Sequence, residues 1–247
     1  MRTQPWGTSA AFADVDGDGH LDLYVANYAV FGPDTKPQLC LAHGIQTSCG
    51  PREYQPEKGV LLKGDGTGRF ADVTAAWGAT RISGKTLGVA FADFDASGRP
   101  SLTLANDEMP GDLLHNVGGR FENIAAVAGT AYDAAGSLHG GMGTDWGDVD
   151  GDGRLDLFVA TFQNEAKNVY RNDGGLLFTD RSAAMGLGPA QPMVTFGAKF
   201  LDVDNDGHLD LILANGHVQD NIEKIDATAT FRQPTQLFRN TGAGTLE

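Results

Sequence analysis

Apolar and polar residues alternate in short stretches along the whole chain, with acidic or glycine-rich turns between them. A period of two is typical of β-strands, because successive side chains then point to opposite faces of a sheet. The clearest alternating stretches are LDLYVAN, SLTLAN, LDLFVAT and LDLILAN, which begin at Leu21, Ser101, Leu155 and Leu209. No stretch of useful length shows helical periodicity. The pattern therefore predicts an all-β fold.

Each alternating stretch lies inside a larger repeated unit. A short strand of small and apolar residues precedes it, and a hairpin with a glycine-rich turn follows after a loop of variable length. The preceding strands are TSAAFAD, TLGVAFAD, MGTDWGD and FGAKFLD, and the hairpins are VLLKGDGTGRFADVT, DLLHNVGGRFENIA, NVYRNDGGLLFTDRS and QLFRNTGAGTLE. Four short strands per repeat are typical of a β-propeller blade.

The repeats divide the chain into four predicted blades. We place them at residues 7–79, 84–129, 140–186 and 195–247, with an insertion at 29–58 in the first. The last unit ends inside its expected fourth strand. Two arrangements are open at this point. Residues 1–247 form a single propeller domain of four-stranded blades, or they form a segment of a larger propeller that missing blades or oligomerisation would complete.

An acidic nine-residue turn separates the first two strands of each unit. Its copies are DVDGDGHLD at Asp14, DVDGDGRLD at Asp148, DVDNDGHLD at Asp202 and a weakened DFDASGRPS at Asp93. Four carboxylates so close together repel one another. A hard cation with oxygen ligands relieves the repulsion, and calcium fits this donor set best.

The predicted ligands follow from counting the first aspartate as position 1. Carboxylates at positions 1, 3, 5 and 9 and the backbone carbonyl of position 7 would hold the ion. The set is Asp14, Asp16, Asp18, His20 and Asp22; then Asp148, Asp150, Asp152, Arg154 and Asp156; then Asp202, Asp204, Asp206, His208 and Asp210. An EF-hand is excluded, because it needs Glu at position 12, where Val25, Val159 and Leu213 stand. Solvated Asp-Gly turns are the simpler alternative.

The turn at Asp93 is expected to differ from the other three. It keeps Asp93 and Asp95 but has Ser97 and Ser101 at positions 5 and 9. The sequence therefore predicts about three calcium sites, with this turn either empty or a weaker fourth site.

Composition restricts the classes of partner. The chain has 32 acidic and 18 basic residues and a net charge of −14, which argues against binding to nucleic acid. It has no apolar run long enough to span a membrane. Cys40 and Cys49 flank a short loop and predict a disulfide, which requires an oxidising compartment. The alternative is a metal site that also uses His43, for which no fourth ligand is evident.

No familiar catalytic motif is present, so no catalytic residue is assigned. Asp145 and Lys199 occupy equivalent positions, three residues before their acidic turns, and we expect them to form a structural ion pair. The loops after the second strands are the longest and most variable segments, so we place a protein or glycan site there. The candidates are Asn106, Asp107, Glu108, Asn215 and His217, and hydrogen bonds that cap these loops are the alternative role.

The repeats resemble FG-GAP/VCBS blades, the calcium-binding units of integrin α-subunit propellers. The acidic motif and the aromatic residue before it carry this resemblance, at Phe12, Trp146 and Phe200. More narrowly, the chain resembles the ASPIC/UnbV, or cartilage-acidic-protein-like, group. Segments that support this are WGTSAAFADVDGDGHLDLYVANY, CGPRE, GMGTDWGDVDGDGRLDLFVATFQNE, ANGHV and QLFRN.

The resemblance implies a secreted, periplasmic or cell-surface protein that acts as a calcium-stabilised adhesion or interaction module. The alternative is a lyase- or hydrolase-like enzyme with a substrate pocket on the loop face. A pocket that gathers His139, Asp145 or His217 with an open metal coordination position would favour the enzyme, and a flat loop face with fully coordinated metals would favour the interaction module.

Overall fold

The computed structural model describes residues 5–36 and 39–247, so residues 1–4 and two residues of the predicted insertion lie outside it. Within that part of the chain, 17 strands form four large antiparallel sheets and one small hairpin. The strands of the first sheet and the inserted hairpin are β1 (Gly7–Ala13), β2 (Asp22–Asn27), β3 (Cys40–Ala42), β4 (Ile45–Thr47), β5 (Val60–Gly64) and β6 (Phe70–Asp72). The second sheet contains β7 (Thr86–Ala92), β8 (Ser101–Asn106), β9 (Asp112–Asn116) and β10 (Phe121–Asn123). The third contains β11 (Gly143–Gly147), β12 (Asp156–Ala160), β13 (Asn168–Gly174) and β14 (Leu177–Asp180), and the fourth β15 (Thr195–Leu201), β16 (Asp210–Asn215) and β17 (Gln236–Phe238).

Each large sheet is a blade whose strands pair in chain order. The first has the order β1-β2-β5-β6, because β3 and β4 form a separate hairpin inserted between its second and third strands. The fourth blade has three named strands, and its last segment pairs with it only through a bridge between Asn240 and Leu246. The one α-helix in the described residues is the single turn Ala125–Ala128. The all-β prediction is confirmed.

The apolar cores lie between neighbouring blades. Tyr24 and Leu61 of the first blade pack in one cluster with Leu104 of the second, and Phe158 of the third packs in another with Phe200 of the fourth. A third cluster joins the second and third blades. Because a middle blade has neighbours on both faces, all six residues of β8 are buried. Alternation in the sequence therefore predicts a strand, whereas burial of both faces of that strand results from the packing of blades on each side.

An asparagine on or just after the third strand bonds each later blade to the one before it. The Nδ2 group of Asn172 donates to the Phe94 carbonyl of the preceding blade at 2.8 Å and to the Leu155 carbonyl at 3.1 Å. Asn116 and Asn240 make the equivalent bonds to Val15 and Val149. The carbonyl that accepts this bond is in each case at position 2 of an acidic turn. The turns are thus part of the joint between blades.

The two outward faces of the four-blade array are uncovered. Phe12 on the first blade is 57% exposed, whereas Phe200, the equivalent residue of the fourth, is 5% exposed. Leu237 on the fourth blade is 54% exposed, whereas its equivalent Leu113 in the second is fully buried. The end blades therefore present apolar surface of the kind that is buried three times inside the molecule.

Candidate functional site: acidic turns and a pocket on the opposite face

The first aspartate of each acidic turn organises the backbone of that turn. Asp14 accepts bonds from the amides of Gly17 and Gly19 at 2.9 Å and from that of Asp18 at 3.1 Å. Asp148 and Asp202 accept equivalent bonds from positions 5 and 6 of their own turns. Position 6 has a left-handed backbone, with φ of 86° at Gly19, which explains why glycine stands there.

Three acidic clusters result, and their chemistry fits a hard cation. Within each cluster, one oxygen from each of three carboxylates lies within 4.8 Å of the others. The clusters are Asp14, Asp16 and Asp18; Asp148, Asp150 and Asp156; and Asp202, Asp204 and Asp206. Carboxylate oxygens held this close are a suitable donor set for calcium.

The aspartate at position 9 has a role that the sequence did not indicate. Asp22 is fully buried, and its two oxygens accept bonds from the amides of Val15 at 2.9 Å and Gly64 at 3.0 Å. It therefore ties the turn to the third strand. Asp156 and Asp210 do the same in their blades. Of the three, only Asp156 also belongs to a described cluster, and burial raises its pKa to about 6.

Backbone amides of position 7 and basic side chains on or just after the third strand surround the turns. The amide of His20 donates to Asp18 at 2.9 Å, and the amides of Arg154 and His208 donate to the equivalent carboxylates. Lys63 on β5 contacts Asp16 and Asp18. Arg239, which follows β17, lies 2.8 Å from Asp204 and 3.0 Å from Asp206. These cations partly offset the repulsion between the carboxylates.

The weakened turn keeps its shape without a three-carboxylate cluster. Asp93 still accepts bonds from the amides of Ser97 at 2.9 Å and Gly98 at 2.8 Å. Asp95 is 2.8 Å from the ring of His115. The buried hydroxyl of Ser101 accepts the Asn116 amide, which is the bond that the position-9 aspartate accepts elsewhere. Serine therefore preserves the joint to the third strand.

The predicted disulfide is present and lies on the loop face. Cys40 and Cys49 are bonded, with their Cα atoms 4.9 Å apart, and they enclose the β3–β4 hairpin. The hairpin reaches the fourth blade, where Asn221 donates to the Gln46 carbonyl at 2.9 Å. The insertion therefore connects the first and last blades of the array.

The five loop-face candidates fall into two pairs, with His217 apart from both. Asn106 is fully buried and bonds to Thr86, Pro110 and Asp112. Asn215 makes equivalent bonds to Thr195, Pro234 and Gln236, so both asparagines cap loops. Asp107 and Glu108 instead line a pocket, which His217 does not. The alternative role therefore applies to both asparagines.

The residues that would have favoured an enzyme are not gathered in this pocket. His139 is buried, with its Nε2 atom 3.4 Å from the Tyr170 hydroxyl. Asp145 is paired with Lys199 at 2.8 Å, as expected, and His217 accepts the Gln219 amide through Nδ1 at 3.0 Å. None of His139, Asp145 and His217 lines the pocket.

The pocket has a volume of about 560 Å³ and lies where the first strands begin and the second strands end. Its walls come from all four blades and from the disulfide insertion. The aromatic lining residues are Trp6, Tyr28, Phe31, Tyr54, Phe162 and Phe196, and the acidic ones are Asp107, Glu108 and Glu165. Tyr28, Asp107 and Phe162 share one repeat position, directly after the alternating stretches LDLYVAN, SLTLAN and LDLFVAT. That shared position is the sequence feature that could have revealed the pocket.

Two of these carboxylates are held in unusual surroundings. Asp107 is only 7% exposed, and its Oδ2 atom accepts the Tyr28 hydroxyl at 2.6 Å. Burial raises its pKa to about 6, and the charges of Glu108 and Glu165 act in the same direction. Burial likewise raises the pKa of Glu165. The pocket thus concentrates negative charge that water solvates poorly.

Sequence comparison agrees with this architecture. The family described as FG-GAP-like repeat matches residues 148–213, and the family described as FG-GAP repeat matches residues 6–36. The first match spans the acidic turns of the third and fourth blades, and the second spans that of the first blade. The chain therefore contains FG-GAP repeats and is a β-propeller-type protein.

The chain is also similar to a curated protein of animals. It is 25% identical to cartilage acidic protein 1 of Mus musculus in an alignment of 280 positions, gaps included. The alignment covers 94% of this chain and 40% of that protein. The Homo sapiens protein of the same name is 26% identical and 39% covered. The chain thus spans about 40% of the length of these relatives.

Two solved structures align with this chain over most of its length at low sequence identity. One is an Agrocybe aegerita lectin that recognises non-reducing terminal N-acetylglucosamine, with a TM-score of 0.46, 15% identity, and coverage of 97% of this chain and 50% of the lectin. The other is the exotype rhamnogalacturonan lyase YesX, with a TM-score of 0.46, 19% identity, and coverage of 97% and 37%. Among the residues that the structure describes, no helix is long and apolar enough to cross a membrane.

Proposed function

We propose that this protein is a calcium-stabilised propeller module that binds a protein or glycan partner in the loop-face pocket. The observation that carries the proposal is the division of the molecule into two ends. The acidic turns join first to second strands at one end, and the pocket opens at the other. The acidic turns, which would bind calcium and hold the blades together, thus lie at the opposite end from the surface that is available to a partner.

Calcium has a structural role in this proposal. The three acidic clusters would hold the ions, and a bound ion would neutralise carboxylates that otherwise repel one another. Because the same turns accept the bonds from Asn116, Asn172 and Asn240, stabilising a turn also stabilises the joint between blades. Residues 1–247 then act as one propeller unit.

A secreted, periplasmic or cell-surface location is part of the proposal. The Cys40–Cys49 bond supports it, because disulfides persist in oxidising compartments. Oxidising compartments outside the cytoplasm also contain calcium at the concentrations that extracellular calcium-binding modules need.

Binding to arrays of extracellular proteins and glycans tests the pocket. Trp6, which lines it and is 45% exposed, is replaced in Trp6→Ala. Val127→Ser is the control, since Val127 is 77% exposed and does not line the pocket. We expect the native chain and the control to retain the same partners, and Trp6→Ala to lose at least tenfold in affinity. Equal binding by all three proteins would overturn the proposal.

A further inference from the structure

The aromatic side chains of the loop-face pocket form a connected wall. The ring of Trp6 lies 5.4 Å from those of Tyr28 and Phe31, and the ring of Phe31 lies 5.5 Å from that of Tyr54. Phe196, a further lining residue, is 39% exposed. Trp6, which is 45% exposed, and Phe196 therefore remain partly accessible to a ligand that enters the pocket.

The charge of the pocket has one sign. Among the described lining residues, three are carboxylates and none is Lys, Arg or His. Glu108 pairs with Arg52 at 2.8 Å, but the Arg52 side chain is 80% exposed and lies outside the lining. Glu165 accepts two backbone amides, from Gly140 at 2.9 Å and Phe162 at 3.1 Å. No buried ion pair therefore neutralises these acids within the lining.

Aromatic faces and carboxylates attract the same kind of ligand. A cation over an aromatic face is attracted by the negative charge of that face, most strongly where water is excluded. The nearby cations, Lys85 and Lys167, lie outside the lining and donate to backbone carbonyls rather than forming ion pairs with Asp107 and Glu165. A neutral ligand would therefore leave these two carboxylates partly buried with no ion-pair partner, which is unfavourable. A bare metal ion is not favoured, because close three-carboxylate clusters occur, within the described residues, only at the acidic turns.

We propose that the pocket binds an organic cation, with an alkylammonium head against the aromatic wall and Asp107 and Glu165 balancing its charge. This proposal rests on the pocket being the binding site proposed above. The cation is a free small molecule or the methylated or unmethylated amine of a lysine side chain, and the test separates these sources.

Titration calorimetry of the calcium-loaded protein tests the class of ligand. The probes are choline and 3,3-dimethyl-1-butanol, which has nearly the same shape but no charge, and two capped peptides that contain lysine or trimethyllysine. We expect choline to bind at least ten times more tightly than the neutral alcohol. A peptide that binds more tightly than choline would assign the cation to a protein partner, and the reverse would assign it to a free metabolite.

Two carboxylate variants make the test specific. Asp107→Asn removes a pocket charge, and Glu122→Gln removes one from an exposed position on β10 outside the pocket. We expect a loss of at least tenfold in choline affinity for the first and no change for the second, with both proteins folded by circular dichroism. Equal affinity for choline and the alcohol, no effect of Asp107→Asn, or no binding of choline at 50 mM would each overturn the proposal.

The outcomes also separate this proposal from the one on which it rests. If array partners depend on Trp6 but charge has no effect, the pocket binds a neutral ligand and only the ligand class is wrong. If Trp6→Ala changes neither array binding nor choline binding, both proposals fail.

Discussion

Carboxylates in this chain have three different roles, which their neighbours determine. Asp14 shapes a turn through backbone amides, Asp22 ties that turn to a third strand, and Asp107 lies buried against an aromatic hydroxyl. The first role was predictable, because repeated spacing made it visible. The second was not, because Asp22 and Gly64 meet only when the hairpin pairs across 42 residues. The third depends on loops of different blades.

The pH dependence of stability tests the surroundings of Asp107. Its pKa is raised from 3.8 to about 6, so the folded state disfavours the ionised form. Below pH 4 this group contributes no penalty; the penalty grows as pH rises and is complete above pH 6. The groups that act on the Asp107 carboxyl are Tyr28, Glu108, Glu165 and Lys85. Other groups of the protein also titrate as the pH changes, so the native chain alone does not isolate the effect of Asp107. We therefore compare the native chain with Asp107→Asn, which keeps an acceptor for the Tyr28 hydroxyl.

Chemical denaturation at a series of pH values makes this comparison. We expect Asp107→Asn to be more stable than the native chain by about 1–3 kcal/mol at pH 7.5 and to lose that advantage by pH 4. A variant that is equally stable or less stable at pH 7.5 would show that the carboxylate is adequately solvated or paired. The loss of ligand affinity together with a gain in stability would identify Asp107 as a functional residue rather than a structural one.

At the scale of elements, strand positions follow from the sequence pattern and strand packing does not. The alternation in residues 101–106 predicts β8 correctly, and the same pattern predicts β2, β12 and β16. What alternation leaves open is the contact between blades. The asparagine bonds illustrate this, because Asn172 stands directly before Asp-Gly-Gly and looks like a turn residue, yet its side chain donates to the Phe94 carbonyl of the preceding blade. The aromatic pocket likewise depends on contacts between blades, and the repeat position shared by Tyr28, Asp107 and Phe162 is the one sequence signal of it.

The closest approach between first strands gives a prediction about elements. A Cβ atom added to Gly143 on β11 would lie 2.0 Å from the Phe196 carbonyl oxygen on β15. At Gly7, the first residue of β1, the nearest atoms would be at 3.9 Å, an ordinary contact. We expect Gly143→Ala to lower the free energy of unfolding by about 1–3 kcal/mol through overpacking, and Gly7→Ala to change it by less than about 0.5 kcal/mol.

Urea denaturation of the two variants and the native chain measures this difference. Equal stabilities for Gly143→Ala and Gly7→Ala would mean that β11 and β15 are not packed backbone against backbone. Because Phe196 also lines the pocket, a shift of β15 in Gly143→Ala would weaken ligand binding as well.

At the scale of the whole molecule, blades are joined by acidic turns at one end and by the disulfide insertion at the other. The insertion crosses from the first blade to the fourth, where Gln46 and Ser48 bond to Asn221 and Gln219. Blade stacking leaves Phe12 and Leu237 exposed on the outward faces. The array therefore depends on three internal joints, each of which includes an acidic turn.

The calcium dependence of thermal unfolding decides whether ions in the acidic turns stabilise the propeller. The chain is melted in excess chelator, in 1 mM calcium and in 1 mM magnesium, with Asp150→Asn from a three-carboxylate cluster and Asp95→Asn from the weakened turn as matched variants. One site saturated a hundredfold stabilises by about 2.7 kcal/mol, which raises the Tm of a chain of this size by at least about 5 °C.

We predict that calcium raises the Tm by at least this amount over chelator and that magnesium raises it less. Asp150→Asn should lose part of the calcium-dependent rise, and Asp95→Asn should keep it. The same Tm in chelator and in calcium, for the native chain, would contradict the claim that calcium in the acidic turns holds the propeller together.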